Sequence, residues 1–122
     1  MTARMTGAEY NQQTRERWSE KQFTAQVEAL AERHSWLVYH THDSRRSQPG
    51  YPDLTMVRDG RVIFAELKTV KGRPSAAQKK WLAALSKSDP GDWKPGTMFG
   101  TETRTVTCWT PEDWTGIVEV LS

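Results

Sequence analysis

Two apolar runs on either side of Asp59-Gly60 limit the possible fold more than any other part of this sequence. Residues 53–58 and 61–70 are rich in apolar residues, and Asp-Gly is the typical dipeptide of a tight type I′ hairpin turn. A hairpin centred on this turn pairs Arg58 with Arg61. Alternation along the strands then gives two faces that are both largely apolar, which predicts a strand pair in the middle of a sheet, covered on both sides.

The same register brings charged residues together at the open end of the hairpin. Asp53 falls opposite Glu66, and such partners have Cβ atoms about 4.5–5.5 Å apart. Alternation places Lys68 on the same face as Glu66. Facing carboxylates repel, covering them increases the cost, and Lys68 neutralises only one. A divalent cation between the two carboxylates resolves the conflict, provided that no bulge shifts the register. The alternative, a surface ion pair with Lys68, explains one acid and not the other.

The rest of the chain predicts helices and strands in a simple order. Besides the hairpin, the expected elements are a loose arm or short helix (1–17), an amphipathic helix (20–34) capped by Ser19, a strand (36–42), a helix starting at a Ser75–Gln78 capping box, a long loop (86–103), a strand (103–109) and a last helix capped by Thr110. This order is that of a small α/β domain. With 122 residues we expect one domain over 20–122, preceded by an N-terminal arm over 1–19.

Composition narrows the environment and the partner. No apolar run approaches the roughly 18 residues that span a bilayer, and the single cysteine, Cys108, has no internal partner, so we expect a cytoplasmic protein without membrane contact. Residues 61–88 carry seven basic side chains and one acid, whereas residues 89–122 carry two basic and six acidic ones. The basic stretch favours a phosphate-bearing partner, although lysines also solvate ordinary helix faces.

The sequence resembles a nuclease family at the same residues. Pro52-Asp53, followed after a hairpin by Glu66-Leu67-Lys68, is similar to the PD-(D/E)XK superfamily. Gly50-Tyr51 before this pair, together with Gln78 in the next helix, resembles the small virus-type VRR-NUC domains of phage and bacterial proteins. The likeness covers about residues 20–86 and extends more loosely to the last strand and helix. It implies a restriction-endonuclease-like core, a small mixed β-sheet flanked by helices.

The resemblance also implies a chemistry. It implies a DNA endonuclease that uses one or two Mg²⁺ or Mn²⁺ ions, with Asp53, Glu66 and the carbonyl of Leu67 as metal ligands. Lys68 would hold the attacking water or stabilise charge on the phosphate. Relatives of this type suggest structure-selective cutting of branched DNA, such as Holliday junctions or flaps, by a homodimer in a bacterial or phage-infected cytoplasm. The last strand and helix could form the dimer interface or merely close the core.

Further residues have two interpretations each. Glu20 lies on the extrapolated apolar stripe of its helix and can turn towards the site, or it can simply favour the helix N-terminus. Glu28 lies off that stripe and is expected in solvent. Gln78 can contact the site, cap its helix, or do both. His40 and His42 share a strand face, but a zinc site there lacks further ligands. Among the tryptophans, Trp36, Trp81 and Trp114 fall on core stripes.

Candidate DNA contacts lie on both sides of the hairpin. They are Arg45 and Arg46 in the loop before Asp53, and Lys71, Arg73 and Lys79 after Lys68. The loop arginines are equally compatible with a solvated loop. Two other functions stay open, a DNA-binding module without catalysis and a nuclease directed at RNA. The segment 86–103 is longer than the resemblance leads us to expect and could be a specificity loop, a dimer arm or an inserted hairpin.

Overall fold

The computed structural model describes residues 5–42 and 48–122, and all statements about structure concern these residues. Within these two ranges the chain forms four α-helices and five strands. In chain order they are α1 (Gly7–Glu16), α2 (Glu20–Arg33), β1 (Leu37–His40), β2 (Leu54–Arg58), β3 (Arg61–Leu67), α3 (Ala76–Ser86), β4 (Met98–Gly100), β5 (Arg104–Trp109) and α4 (Trp114–Leu121), with short 3₁₀ turns at Pro90–Asp92 and Pro111–Asp113.

The strands form one mixed sheet in the order β1-β2-β3-β5-β4, in which only β3 and β5 pair in parallel. The β2–β3 hairpin pairs Arg58 with Arg61 and Leu54 with Ala65, without a bulge between them. The predicted register is therefore confirmed, and so is the α/β restriction-endonuclease-like core with a small mixed sheet flanked by helices.

Helices cover both faces of the central strands. On one face, α2 and α4 pack their apolar stripes against Leu54, Met56, Ile63, Ala65 and Leu67, all of which are fully buried. On the other face, Leu82 and Ala83 of α3 pack with Trp93 and with Val106 and Cys108 of β5. Phe64 of β3 packs against this second cluster, whereas Val57 of β2 is 41% exposed, so the predicted cover on both sides is confirmed for β3 and wrong for this face of β2.

The segment 86–103 is not only a loop, so the prediction of a long loop was wrong, and of the three alternatives left open for it the inserted hairpin is present. Met98–Gly100 forms the edge strand β4, which pairs antiparallel with β5 as an inserted hairpin. Trp93 is buried, and its Nε1 donates to Ser88 Oγ at 2.9 Å. The strand gave no signal because it has three residues, all exposed and without alternation. The strand β4 is stabilised by its pairing with β5, which the sequence of β4 alone does not predict.

The N-terminal segment contains a helix. Thr6 and Glu9 form a capping box at the start of α1, and no residue of α1 is buried. Trp18 then packs on Phe23 and Trp114, with ring centroids 6.2 and 5.4 Å apart. Aromatic packing therefore joins the end of α1 to α2 and α4.

Apolar surface is left at the edges of the sheet and not at the last helix. Ile117 and Leu121 of α4 are fully buried, so this helix closes the core. The large exposed apolar side chains of the strands are Leu37, Tyr39, Val57, Met98 and Phe99. Among the described helices, none combines the length and the apolar character required to cross a membrane.

Candidate active site

Asp53 is held at the entrance to β2 by the backbone of its neighbours. Its main-chain oxygen accepts a hydrogen bond from the Thr41 N–H at 2.8 Å. Its side-chain Oδ2 accepts another from the Leu67 N–H, also at 2.8 Å. The carboxylate therefore lies against the end of β3, one step beyond the last regular pair of the hairpin, where the register placed it.

Glu66 is a fully buried carboxylate on β3. Its Oε1 accepts a hydrogen bond from Gln78 Nε2 at 3.0 Å and lies 3.7 Å from Lys68 Nζ. Its Oε2 is buried and has no hydrogen-bond partner among the described residues. Leaving a buried acceptor unpaired costs about 1–3 kcal/mol, and more for a charged group. One oxygen of Glu66 thus lacks a partner among the described residues and is available to a ligand such as a cation.

Glu20 completes a group of three carboxylates. It begins α2, directly after the Ser19 cap, and carboxylate oxygens of Glu20, Asp53 and Glu66 all lie within 4.8 Å of one another. Oxygen donors of this kind suit hard divalent cations such as Mg²⁺ and Mn²⁺. The residues present therefore fit a divalent cation, since it would supply the missing partner of Glu66 and offset three converging negative charges.

The electrostatics of this group point the same way. Burial raises the pKa of Glu66 to about 9, the nearby Asp53 carboxylate adds to the rise by its charge and by accepting a hydrogen bond from protonated Glu66, and Lys68 opposes it. Glu20 is exposed as a residue, yet partial burial of its carboxylate also raises its pKa. The charge of Lys68 lowers this pKa, and the charge of Asp53 raises it. A bound divalent cation favours the ionised carboxylates, so its binding is coupled to proton release.

Lys68 lies beside this cluster and not at the surface. Only 14% of its side chain is exposed, and its main-chain N–H donates to the Trp109 oxygen at 2.9 Å. The ion pair with Glu66 therefore has one fully buried and one largely buried partner. A surface ion pair, the alternative that the sequence left open, does not describe this geometry.

Gln78 serves both the helix and the site. Its side-chain oxygen accepts from the Ser75 N–H at 2.7 Å, which confirms the capping box, and its Nε2 donates to Glu66. One amide group thus fixes the start of α3 and the orientation of the buried carboxylate.

Gly50 seats the preceding loop on α3, a contact that the sequence did not reveal. Its φ is +94°, and a Cβ atom placed there would lie 2.5 Å from the carbonyl carbon and oxygen of Ala77. Tyr51, next in the chain, packs edge-on against Trp81 with centroids 5.2 Å apart. The only hint in the sequence was the position of Gly50-Tyr51 just ahead of Pro52-Asp53.

Gly50→Ala is therefore expected to destabilise the protein by about 2 kcal/mol or more, because it combines a left-handed backbone with a steric overlap against helix backbone. Unfolding by denaturant measures this change. Gly7→Ala is the matched control, since a Cβ at Gly7, inside α1, meets nothing within 4 Å. Equal stability of the two variants would contradict the proposed seating.

A cleft of about 480 Å³ opens beside the cluster, lined in part by Glu20 and Asp53. Glu28 also lines it, half-buried and 3.6 Å from Nδ1 of His40, so the expectation that Glu28 is solvated was wrong. The apolar pattern of α2 carries no information about β1, so it did not indicate that His40 at the end of β1 lies beside Glu28. His40 and His42 pack together with centroids 5.2 Å apart. Among the described residues, they join no group of three metal-binding side chains.

The expected DNA contacts lie on the segment that leaves the site. Lys71 and Arg73 are exposed and Lys79 is half-buried, and none takes part in an ion pair among the described residues. Arg45 and Arg46 lie outside the described residues. The DNA-binding roles of all five, and the metal-binding role of the Leu67 carbonyl, stay predictions.

Comparison with known proteins identifies the family. The model of the VRR-NUC domain matches residues 4–93, more than half of the chain, and this range includes Glu20, the hairpin, Lys68 and Gln78. Neither the curated proteins nor the solved structures gave a match. The chain belongs to the VRR-NUC family of nuclease domains, within the PD-(D/E)XK superfamily.

Proposed function

We propose that this protein is a divalent-metal-dependent DNA endonuclease that hydrolyses phosphodiester bonds. One observation carries the proposal. Three carboxylates converge within 4.8 Å beside Lys68, and one oxygen of the buried Glu66 has no partner among the described residues. A domain that only bound DNA would have no need of this arrangement, whose charges oppose one another in the absence of a cation.

Glu20, Asp53 and Glu66, with the Leu67 carbonyl, would hold one or two Mg²⁺ or Mn²⁺ ions. Such an ion, when bound, lowers the pKa of water and neutralises charge on the scissile phosphate. The chain's own residues orient the carboxylates. The Leu67 N–H holds Asp53, and the Gln78 amide holds Glu66 at Oε1. Oε2 has no hydrogen-bond partner among the described residues and is therefore the oxygen free to bind an ion.

Lys68 supplies the positive charge that the reaction itself requires. Its ammonium lies 3.7 Å from Glu66 Oε1, and the side chain as a whole is largely shielded from solvent. A shielded charge acts more strongly on nearby groups than a solvated one. Lys68 would therefore stabilise negative charge that develops on the phosphate, or orient the attacking water.

The basic residues after the site would bind the DNA backbone. Contacts from Lys71, Arg73 and Lys79, and from Arg45 and Arg46, which precede Asp53 in the chain, would position the strand without reading its sequence. The resemblance to small VRR-NUC domains further suggests a preference for branched DNA, such as Holliday junctions or flaps. Shape would then select the substrate.

A cleavage assay with end-labelled DNA tests this proposal. The substrates are a four-way junction, a flap, a plain duplex and a single strand, each with Mg²⁺, Mn²⁺ or EDTA. We expect metal-dependent cutting that favours the branched substrates and is lost with Lys68→Ala. Tight binding without cutting of any substrate would instead indicate a binding module.

A homodimer would bring two such sites to one branched substrate. We expect its interface at the edge strand β1, where Leu37 and Tyr39 are 75% and 64% exposed beside Val57. Leu37→Lys should shift the protein towards the monomer in sedimentation experiments, because it places a charge in an apolar contact. Met98→Lys on the opposite edge strand, β4, is the matched control. A monomeric wild-type protein, or equal dissociation by the control, would contradict this interface.

A further inference from the structure

A second concave site lies on the outer side of α3. It is a pocket of about 350 Å³, lined by Gln48, Pro49, Ala77, Lys80, Trp81 and Ala84. The volume falls within the lower part of the range typical of small-molecule sites, which are mostly apolar with a few polar groups. The sequence assigned Trp81 to the core, but the indole is half-buried and lines this pocket, while Leu82 and Ala83 face the sheet.

Contacts on both sides hold the indole of Trp81 in place. Its Nε1 donates to the Pro49 oxygen at 3.2 Å, and the Tyr51 ring meets it nearly at right angles, with centroids 5.2 Å apart. Gly50 sits between these two contacts, against the backbone of Ala77 and Gln78. The pocket wall is therefore anchored before any ligand arrives.

Both walls of the pocket continue along the chain to residues of the proposed active site. The loop that contributes Pro49 continues to Asp53, and Ala77 on the helix immediately precedes Gln78, which binds Glu66. Three residues along a helix correspond to about 4.5 Å, so Trp81 lies close to Gln78 along the axis of α3. The pocket and the proposed active site therefore share two elements, the loop before Asp53 and the first turns of α3.

The charge around the pocket identifies the class of ligand. Lys80 lines it and is exposed, Lys79 is its neighbour, and no acidic residue occurs between residues 67 and 88. An aromatic side chain beside ammonium groups is the usual arrangement for a single strand, since the base stacks on the ring and the backbone meets the charge.

We propose that this pocket binds an unpaired nucleobase of the DNA strand, with Trp81 as the stacking surface and Lys80 on the adjacent phosphate. This proposal rests on the proposed nuclease function and extends it, because branched substrates offer unpaired bases next to the cleavage site. It gives the selection of substrate shape a physical basis within a single chain.

The test compares a thymine oligonucleotide with an abasic strand of the same length, which has the same backbone charge. Binding is measured by fluorescence anisotropy in EDTA, where no cleavage occurs. We expect the wild-type protein to bind the thymine strand roughly tenfold more tightly, the effect of one stacked base. Ala84→Leu fills the pocket from an exposed helix position. It should make the affinities for the thymine strand and the abasic strand nearly equal.

Two further variants separate the pocket from general effects on the fold. Trp81→Phe keeps an aromatic ring and should retain most of the preference. Ala29→Leu adds the same side chain as Ala84→Leu at an exposed position of α2 and should retain all of it. The proposal that the pocket binds a base is contradicted if the wild-type protein binds both strands equally. It is also contradicted if Ala84→Leu prefers the thymine strand as strongly as the wild-type protein does.

Failure of the pocket can be distinguished from failure of the nuclease. Metal-dependent cleavage without any preference for the strand that has bases would contradict the proposed base-binding pocket but not the proposed nuclease function. A base preference that Ala84→Leu removes, in a protein that never cuts DNA, supports the pocket and overturns the nuclease.

Discussion

Lys68→Ala is expected to reduce the rate of DNA cleavage by roughly a hundredfold or more while DNA binding and cation binding persist. The ammonium lies 3.7 Å from Glu66 Oε1, and removing one preorganised charge or donor from an active site commonly has an effect of this size. The basic residues that follow it in the chain stay in place, so affinity for DNA should change little. Single-turnover cleavage and anisotropy with the same junction measure the two properties separately.

Asp53→Asn and Glu66→Gln should also abolish cleavage, but for a different reason. Each removes one carboxylate from the cluster of three that would hold the cation. Lys94→Ala provides the control for lost lysine charge, since Lys94 is exposed and lies in the loop before β4. Near-normal turnover by Lys68→Ala would show that the role assigned to this residue is wrong.

Glu66→Gln is expected to stabilise the metal-free protein above neutral pH. The pKa of Glu66 is raised from 4.5 to about 9, mainly by burial, so the folded state keeps a proton that the unfolded chain releases. Stability therefore falls as the pH rises from about 5 to about 9. At pH 7 the difference is on the order of 3 kcal/mol, and glutamine removes it because it has no proton to lose.

Denaturant unfolding in EDTA at several pH values measures this effect. The curves of wild type and Glu66→Gln should meet near pH 5 and separate as the pH increases. Glu102→Gln is the matched control, since Glu102 is exposed in the turn between β4 and β5. Divalent cations should restore the stability of the wild-type protein and leave Glu66→Gln unchanged. A wild-type protein that becomes more stable with rising pH in EDTA would contradict the account.

The positions of Asp53 and Glu66 followed from local chemistry. The Asp59-Gly60 turn fixes the register of a tight hairpin, and a shift by one residue would expose its apolar faces. The capping box of Ser75 and Gln78 likewise predicted where α3 begins. Such features depend on a few neighbouring residues, which is why the sequence alone was sufficient.

Features that depend on distant packing were less accessible. The stripe of α2 suggested that Glu20 turns inward, but its distance from the hairpin depends on how the helix lies across the sheet. The same stripe misplaced Glu28, because nothing in α2 indicates that His40 lies beside it. Trp81 was assigned to the apolar stripe of α3 beside Leu82, but only Leu82 and Ala83 are buried against the sheet.

The central claim is that Glu20, Asp53 and Glu66 form one divalent-cation site, and a Mn²⁺ titration followed by electron paramagnetic resonance tests it most directly. We predict saturable binding by the wild-type protein and by Lys68→Ala, weaker binding by Glu20→Gln, and loss of binding by Asp53→Asn. Absence of saturable binding, or equal affinity in Asp53→Asn and the wild-type protein, would contradict the account.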